Sequence, residues 1–105
     1  MVMSSRQKKI WTMTSRVLSI DIETYSDEDL TSVGVYRYVS SEAFEILLFA
    51  YAFDNDPVRI VDLARGEELP DEVYNAFWDA DIEKHAFNAQ FERICINKHF
   101  KIELW

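Results

Sequence analysis

The chain has 105 residues, 49% of them hydrophobic and 14% aromatic, which is enough for one small core and no more. Two glycines and two prolines argue against low complexity, and a single cysteine excludes an internal disulfide framework and fits a reducing cytosol. No apolar run is long enough for a membrane span and no secretory signal pattern is present, so a membrane partner is not expected.

The formal net charge of -8 is unevenly placed. Arg6, Lys8, Lys9 and Arg16 stand at the basic start without any acid, which leaves -12 on the remainder. Such an acidic body usually means only solubility. It is still compatible with nucleic acid where bound cations reverse the local field. Residues 1–15 show no period and are read as a basic flexible arm or extension. Residues 16–105 are read as the folded part.

Val17–Thr24 is the first predicted strand. Side chains two apart on a strand share a face, so Asp21 and Glu23 point one way and Ile20, Ile22 and Thr24 the other. Two like charges brought together cost free energy unless a positive charge lies between them. Hard divalent cations supply that charge in nucleases and polymerases. The alternative is an edge strand with acids on its wet face. Val17, Leu18, Ile20 and Ile22 make the run too apolar for that, and it leads into the acidic loop Ser26–Ser32.

Gly34–Val39 alternates and is read as a short strand or an extended loop. Tyr25, Tyr36 and Tyr38 are candidates for stacking on bases, or for packing at a sheet margin. Ile46–Phe53 is eight apolar residues in a row, which predicts a strand covered on both faces. Asp54-Asn55-Asp56-Pro57 is a turn, and Val58–Leu63 returns as a third strand. Leu69–Trp78 reads as a helix with Pro70, Asp71 and Glu72 in its first turn. Ile82–Phe87 is a fourth strand. Asn88 then caps a helix over Ala89–Phe100, with Cys95 in its core. The predicted order is β-β-β-α-β-α.

Glu92 lies four residues into that helix from Asn88. It meets Asp21 and Glu23 if strands one and four are neighbours; otherwise it is a solvated helix acid.

Asp21-Ile22-Glu23-Thr24 resembles the first motif of the DEDD 3′-5′ exonucleases, and Asn88-Ala89-Gln90-Phe91-Glu92 resembles their second. The likeness covers Asp21 to Leu63 and Ala86 to Phe100. It is nearest to the N-terminal exonuclease domain of phage-type family A DNA polymerases. The resemblance implies an RNase H-like α/β fold, a mixed sheet with flanking helices. It implies Mg²⁺ or Mn²⁺ at Asp21, Glu23 and Glu92, the catalytic and metal-binding residues of a two-metal hydrolysis. It also implies Thr24, Tyr25, Asn88 and Phe91 on the substrate, a single-stranded DNA 3′ end, in the cytoplasm of a bacterial host.

The chain departs from the family twice. Glu92 replaces the usual Asp. The third motif, a Tyr or His followed by Asp, is not found, since His99 is not followed by such an acid, and the fifth strand and last helix are absent as well. The chain is therefore expected to be the first part of such a domain, to bind metal weakly and to have little turnover alone. An apolar flank from Ile82, Phe87, Phe91 and Ile94 beside an unpaired strand edge is expected to recruit the missing C-terminal portion or a second copy. The alternatives are an inactive remnant that binds metal or nucleic acid, and another RNase H-like metal nuclease. A downstream reading frame supplying the third motif would favour the exonuclease.

Overall fold

A computed structural model describes residues 16–103; the expected basic arm, 1–15, lies outside the described residues. The chain runs β1 (Val17–Tyr25), α1 (Leu30–Val33), α2 (Val35–Ser40), β2 (Glu45–Phe53), β3 (Arg59–Asp62), a 3-10 turn (Leu63–Arg65), α3 (Asp71–Ala76), β4 (Glu83–Ala86) and α4 (Ala89–Phe100). It is a mixed α/β structure. The four strands form one sheet in the order β3-β2-β1-β4, antiparallel except for the β1–β4 pair, which is parallel.

The expected strand or extended loop at Gly34–Val39 is instead helix α2. Val35, Tyr38 and Val39 pack against or within the core, and their spacing of three and four residues is that of a helix face. The loop before it also closes into a short helix, because Asp29 caps α1 through the Thr31 amide. Gly34 separates the two helices with φ 82°, a left-handed conformation that favours glycine.

The core lies on one face of the sheet. Leu18 and Ile20 of β1 and Phe49, Tyr51 and Phe53 of β2 pack with Val73 and Phe77 in and just after α3, and with Ile94, Cys95 and Ile96 of α4. Cys95 is buried, and burial pushes its thiol up to about 12, so it is an inert core group. β2 is not covered evenly on both sides as its apolar run predicts. Directly opposed residues of antiparallel strands share a face, so Leu48, Ala50 and Ala52 join Glu23, Asp21 and Ser19 on the side away from the core. Ser19, Asp21 and Glu23 are exposed there, and Ile60 of β3, opposite Ala50, is 63% exposed.

β4 is an edge strand, as the expected flank requires. The flank's apolar composition is corrected, however. Ile94 is buried, and Ile82 and Phe91 pack against the core, because α4 folds back over the sheet. Of the four residues only Phe87 stands out in solvent.

α4 is tied to the start of β2 by the Ile46 amide, which donates to Nδ1 of His99 at 2.9 Å. Nδ1 must be unprotonated to accept. Burial lowers the His99 pKa, and the Glu45 charge opposes that only in part. The unfolded chain therefore takes up the proton more readily than the folded one. The contribution of this bond is fully present above the unfolded pKa of about 6.5 and is lost as the pH falls below it. Melting curves from pH 7.5 to pH 5 are expected to lose more stability in the native chain than in His99→Gln, whose amide oxygen accepts without titrating. Parallel curves would remove His99 from the pH response.

Candidate metal and nucleic-acid site

Strands β1 and β4 are neighbours, which is the condition for the two acidic stretches to meet. Their parallel ladder runs from Val17↔Glu83 to Ile20↔Ala86 and stops there. The chain then turns at Phe87 into α4, capped by the Asn88 side chain, which accepts from the Phe91 amide at 3.3 Å. The first turn of α4 thus comes in beside β1 at Asp21, where β1 has lost its parallel partner.

Glu92 is 6% exposed, and its Oε2 has no hydrogen-bond partner. It is a buried carboxylate and not the solvated helix acid of the alternative reading. Its pKa is raised, first by burial and then by the negative charge of Asp21. An unpartnered buried carboxylate oxygen is costly, and a neighbouring like charge adds to that cost. The arrangement suits a cation between Asp21 and Glu92.

Glu23 is two residues on along the same exposed face of β1. A β-bulge sits beside it: Glu23 pairs with Leu48 but Thr24 pairs with Ile46, so Leu47 is the extra residue. Bulges re-aim side chains and are frequent beside active sites. Among the described residues, no three Asp, Glu, His or Cys side chains converge closely enough to hold a metal ion as they stand. The structure therefore brings Asp21 and Glu92 into electrostatic contact and places Glu23 nearby without closing a three-ligand cage.

The remaining candidates are all near the end of β1 or at the start of α4, in different surroundings. The Thr24 hydroxyl pairs with the Tyr38 hydroxyl at 2.9 Å, which explains how Tyr38 can be buried. Phe91 is partly buried, with its ring 6.3 Å from that of Tyr38. Tyr25 is 51% exposed. The acids after β1 are engaged in local structure: Asp27 accepts from the Ser41 hydroxyl, and Asp29 caps α1. Hydrogen bonds from Thr31 and then Ser32 hold the Asp29 carboxyl below its ordinary value. The capping role was readable in Asp29-Leu30-Thr31-Ser32. Of the two roles the sequence left open for Tyr38, packing is the one it takes. The bulge was missed; its sign is one apolar residue too many in Ile46–Leu48 for simple alternation.

Across 89 residues, 85% of its length, the chain is 57% identical to a DNA polymerase of Bacillus phage SP02. The chain is thus similar to part of a phage DNA polymerase. The matched stretch is 14% of that polymerase, so the chain spans a small part of the relative it matches. No family model matches the chain, and no solved structure does. No described helix is long and apolar enough to cross a membrane.

Proposed function

We propose that the chain is the first part of the proofreading 3′-5′ exonuclease region of a phage DNA polymerase, with an RNase H-like arrangement of its mixed sheet, working in the bacterial host's cytoplasm. The observation that carries this is the buried Glu92, with its unpartnered oxygen and the charge of Asp21 acting on it, near where the β1–β4 ladder ends. The 57% identity to a phage DNA polymerase supports the polymerase setting. Asp21 and Glu92, with Glu23 alongside, would hold Mg²⁺ or Mn²⁺, since hard carboxylate oxygens suit both. When bound, such ions activate water and stabilise the entering and leaving oxygens of a phosphodiester. The protein's own part is to keep Asp21 on a rigid central strand, to aim Glu92 from a capped helix start, and to pass a single-stranded 3′ end between Tyr25 and Asn88.

One observation favours a second reading, a metal- or nucleic-acid-binding module without turnover. The described carboxylates do not close a three-ligand cage. Both readings predict weak cation binding. Calorimetry is expected to show Mn²⁺ binding to the native chain and its loss in Asp21→Ala. Identical heats from the two proteins would sink the site.

A further inference from the structure

Tyr38 of α2 touches the sequence neighbour of an acid in each of the two acidic stretches. Its hydroxyl pairs at 2.9 Å with that of Thr24, which follows Glu23 on β1. Its ring centroid lies 6.3 Å from that of Phe91, which precedes Glu92 on α4. Its carbonyl accepts from the Ser26 hydroxyl at 2.8 Å, a second tie to the end of β1. Phe44 meets the same ring edge-on, with centroids 5.8 Å apart. Tyr38 is buried, so close packing fixes where its hydroxyl can reach. The stretch it ties is irregular in the sheet. β1 has left the β4 ladder, which ends at Ile20, and its register with β2 shifts between Glu23 and Thr24. Backbone pairing with β4 therefore does not fix how far the acids of β1 lie from Glu92.

We propose that Tyr38 is a positioning residue, which brackets the end of β1 against the first turn of α4 and so sets the separation of Asp21 and Glu92. Its consequence for cations rests on the metal-site reading above. Tyr38 acts through Thr24 on one side and Phe91 on the other. The charge of Asp21 acts unfavourably on the buried Glu92, so the two segments gain by moving apart. The hydroxyl pair and the ring contact work against that movement. A cation then meets carboxylates already held at a set distance, and less freedom is lost when it binds. Outer-shell partners tune metal sites in this way without touching the ion.

The test has a metal-free arm and a metal arm, both built on Tyr38→Phe. That variant keeps the ring against Phe44 and Phe91 and removes only the hydroxyl pair, so the fold is expected to survive. Without metal, Glu92→Gln removes the charge that Asp21 opposes and is expected to raise the melting temperature at pH 7. In a Tyr38→Phe background, where the acids have already moved apart, that gain is expected to fall below about half. A residue that merely supports the fold would lower both melting temperatures and leave the gain unchanged, and an unchanged gain overturns the proposal. With Mn²⁺, calorimetry is expected to show about tenfold weaker binding in Tyr38→Phe and in Thr24→Val. The double variant is expected to lose little more than either, and Thr24→Ser, which keeps the hydroxyl, to bind as the native chain does. Losses that simply add, or a native affinity in Tyr38→Phe, overturn the proposal as well. Its failure is distinct from that of the metal site. A shrunken gain in a chain that binds no Mn²⁺ keeps the bracket and removes the metal. Mn²⁺ heats lost in Asp21→Ala but intact in Tyr38→Phe do the reverse.

Discussion

Glu92→Gln is expected to raise the melting temperature at pH 7 and to abolish stabilisation by Mn²⁺. In the native chain Glu92 is buried, one of its oxygens lacks a partner, and Asp21 faces it with the same charge. Replacing an uncompensated buried charge by a neutral group of the same shape relieves the desolvation cost and removes the repulsion from Asp21. A gain of about 1 kcal/mol corresponds to roughly 4–8 °C for a domain of this size. The sign with pH follows from the raised pKa. A carboxyl held above its unfolded value of about 4.5 favours folding while protonated, and that contribution is lost as the pH rises through the folded value. The advantage of Glu92→Gln should therefore shrink as the pH is lowered from 7 toward 4.5. Mn²⁺ stabilises the native chain by binding the folded state, and the variant loses that response. Calorimetric melts at both pH values, with and without Mn²⁺, decide it. A variant less stable than the native chain at pH 7 would mean that Glu92 has a charge partner.

Phe49→Ala is expected to leave the chain barely folded. Phe49 is fully buried at the centre of β2, with its ring 6.1 Å from Phe77 and 6.4 Å from Tyr51. It links the sheet to α3, and α3 in turn leans on α4 through Phe77 and Phe100, 6.4 Å apart. Truncating a buried phenylalanine costs about 3–5 kcal/mol in lost transfer energy and cavity. Small domains have only about 5–15 kcal/mol in all. Urea titration followed by circular dichroism should show the midpoint falling by about half or more. Phe87→Ala is the matched control, an identical chemical change at an exposed site that should cost less than about 0.5 kcal/mol. A Phe49→Ala midpoint close to that of the control would mean that the interior repacks around the gap.

Local signals were enough for part of this molecule. The apolar run at Val17 with carboxylates two apart, the uninterrupted run at Ile46, the Asp-Asn-Asp-Pro turn, and Asn88 ahead of a helix each depend on near neighbours in sequence. The corresponding elements lie within a few residues of where those signals place them. The β1–β4 adjacency also follows from sequence, once the two acidic stretches are required to meet.

Other features depend on contacts between residues remote in the chain. Over the six residues Val35–Ser40, periods of 2 and 3.6 are hard to separate, and the packing of Tyr38 against Phe44 and Phe91 decides for helix. Glu92 reads equally well as a surface acid or a ligand. Only the fold of α4 over the sheet buries it beside a residue 71 positions earlier. The bulge at Leu47 is a matter of register with β1, and register is a property of two strands. Phe87 shows the same limit from the other side. The sequence groups it with Ile82, Phe91 and Ile94 in one apolar flank, but α4 covers those three, the ladder ends one residue before Phe87, and its ring alone is left in solvent.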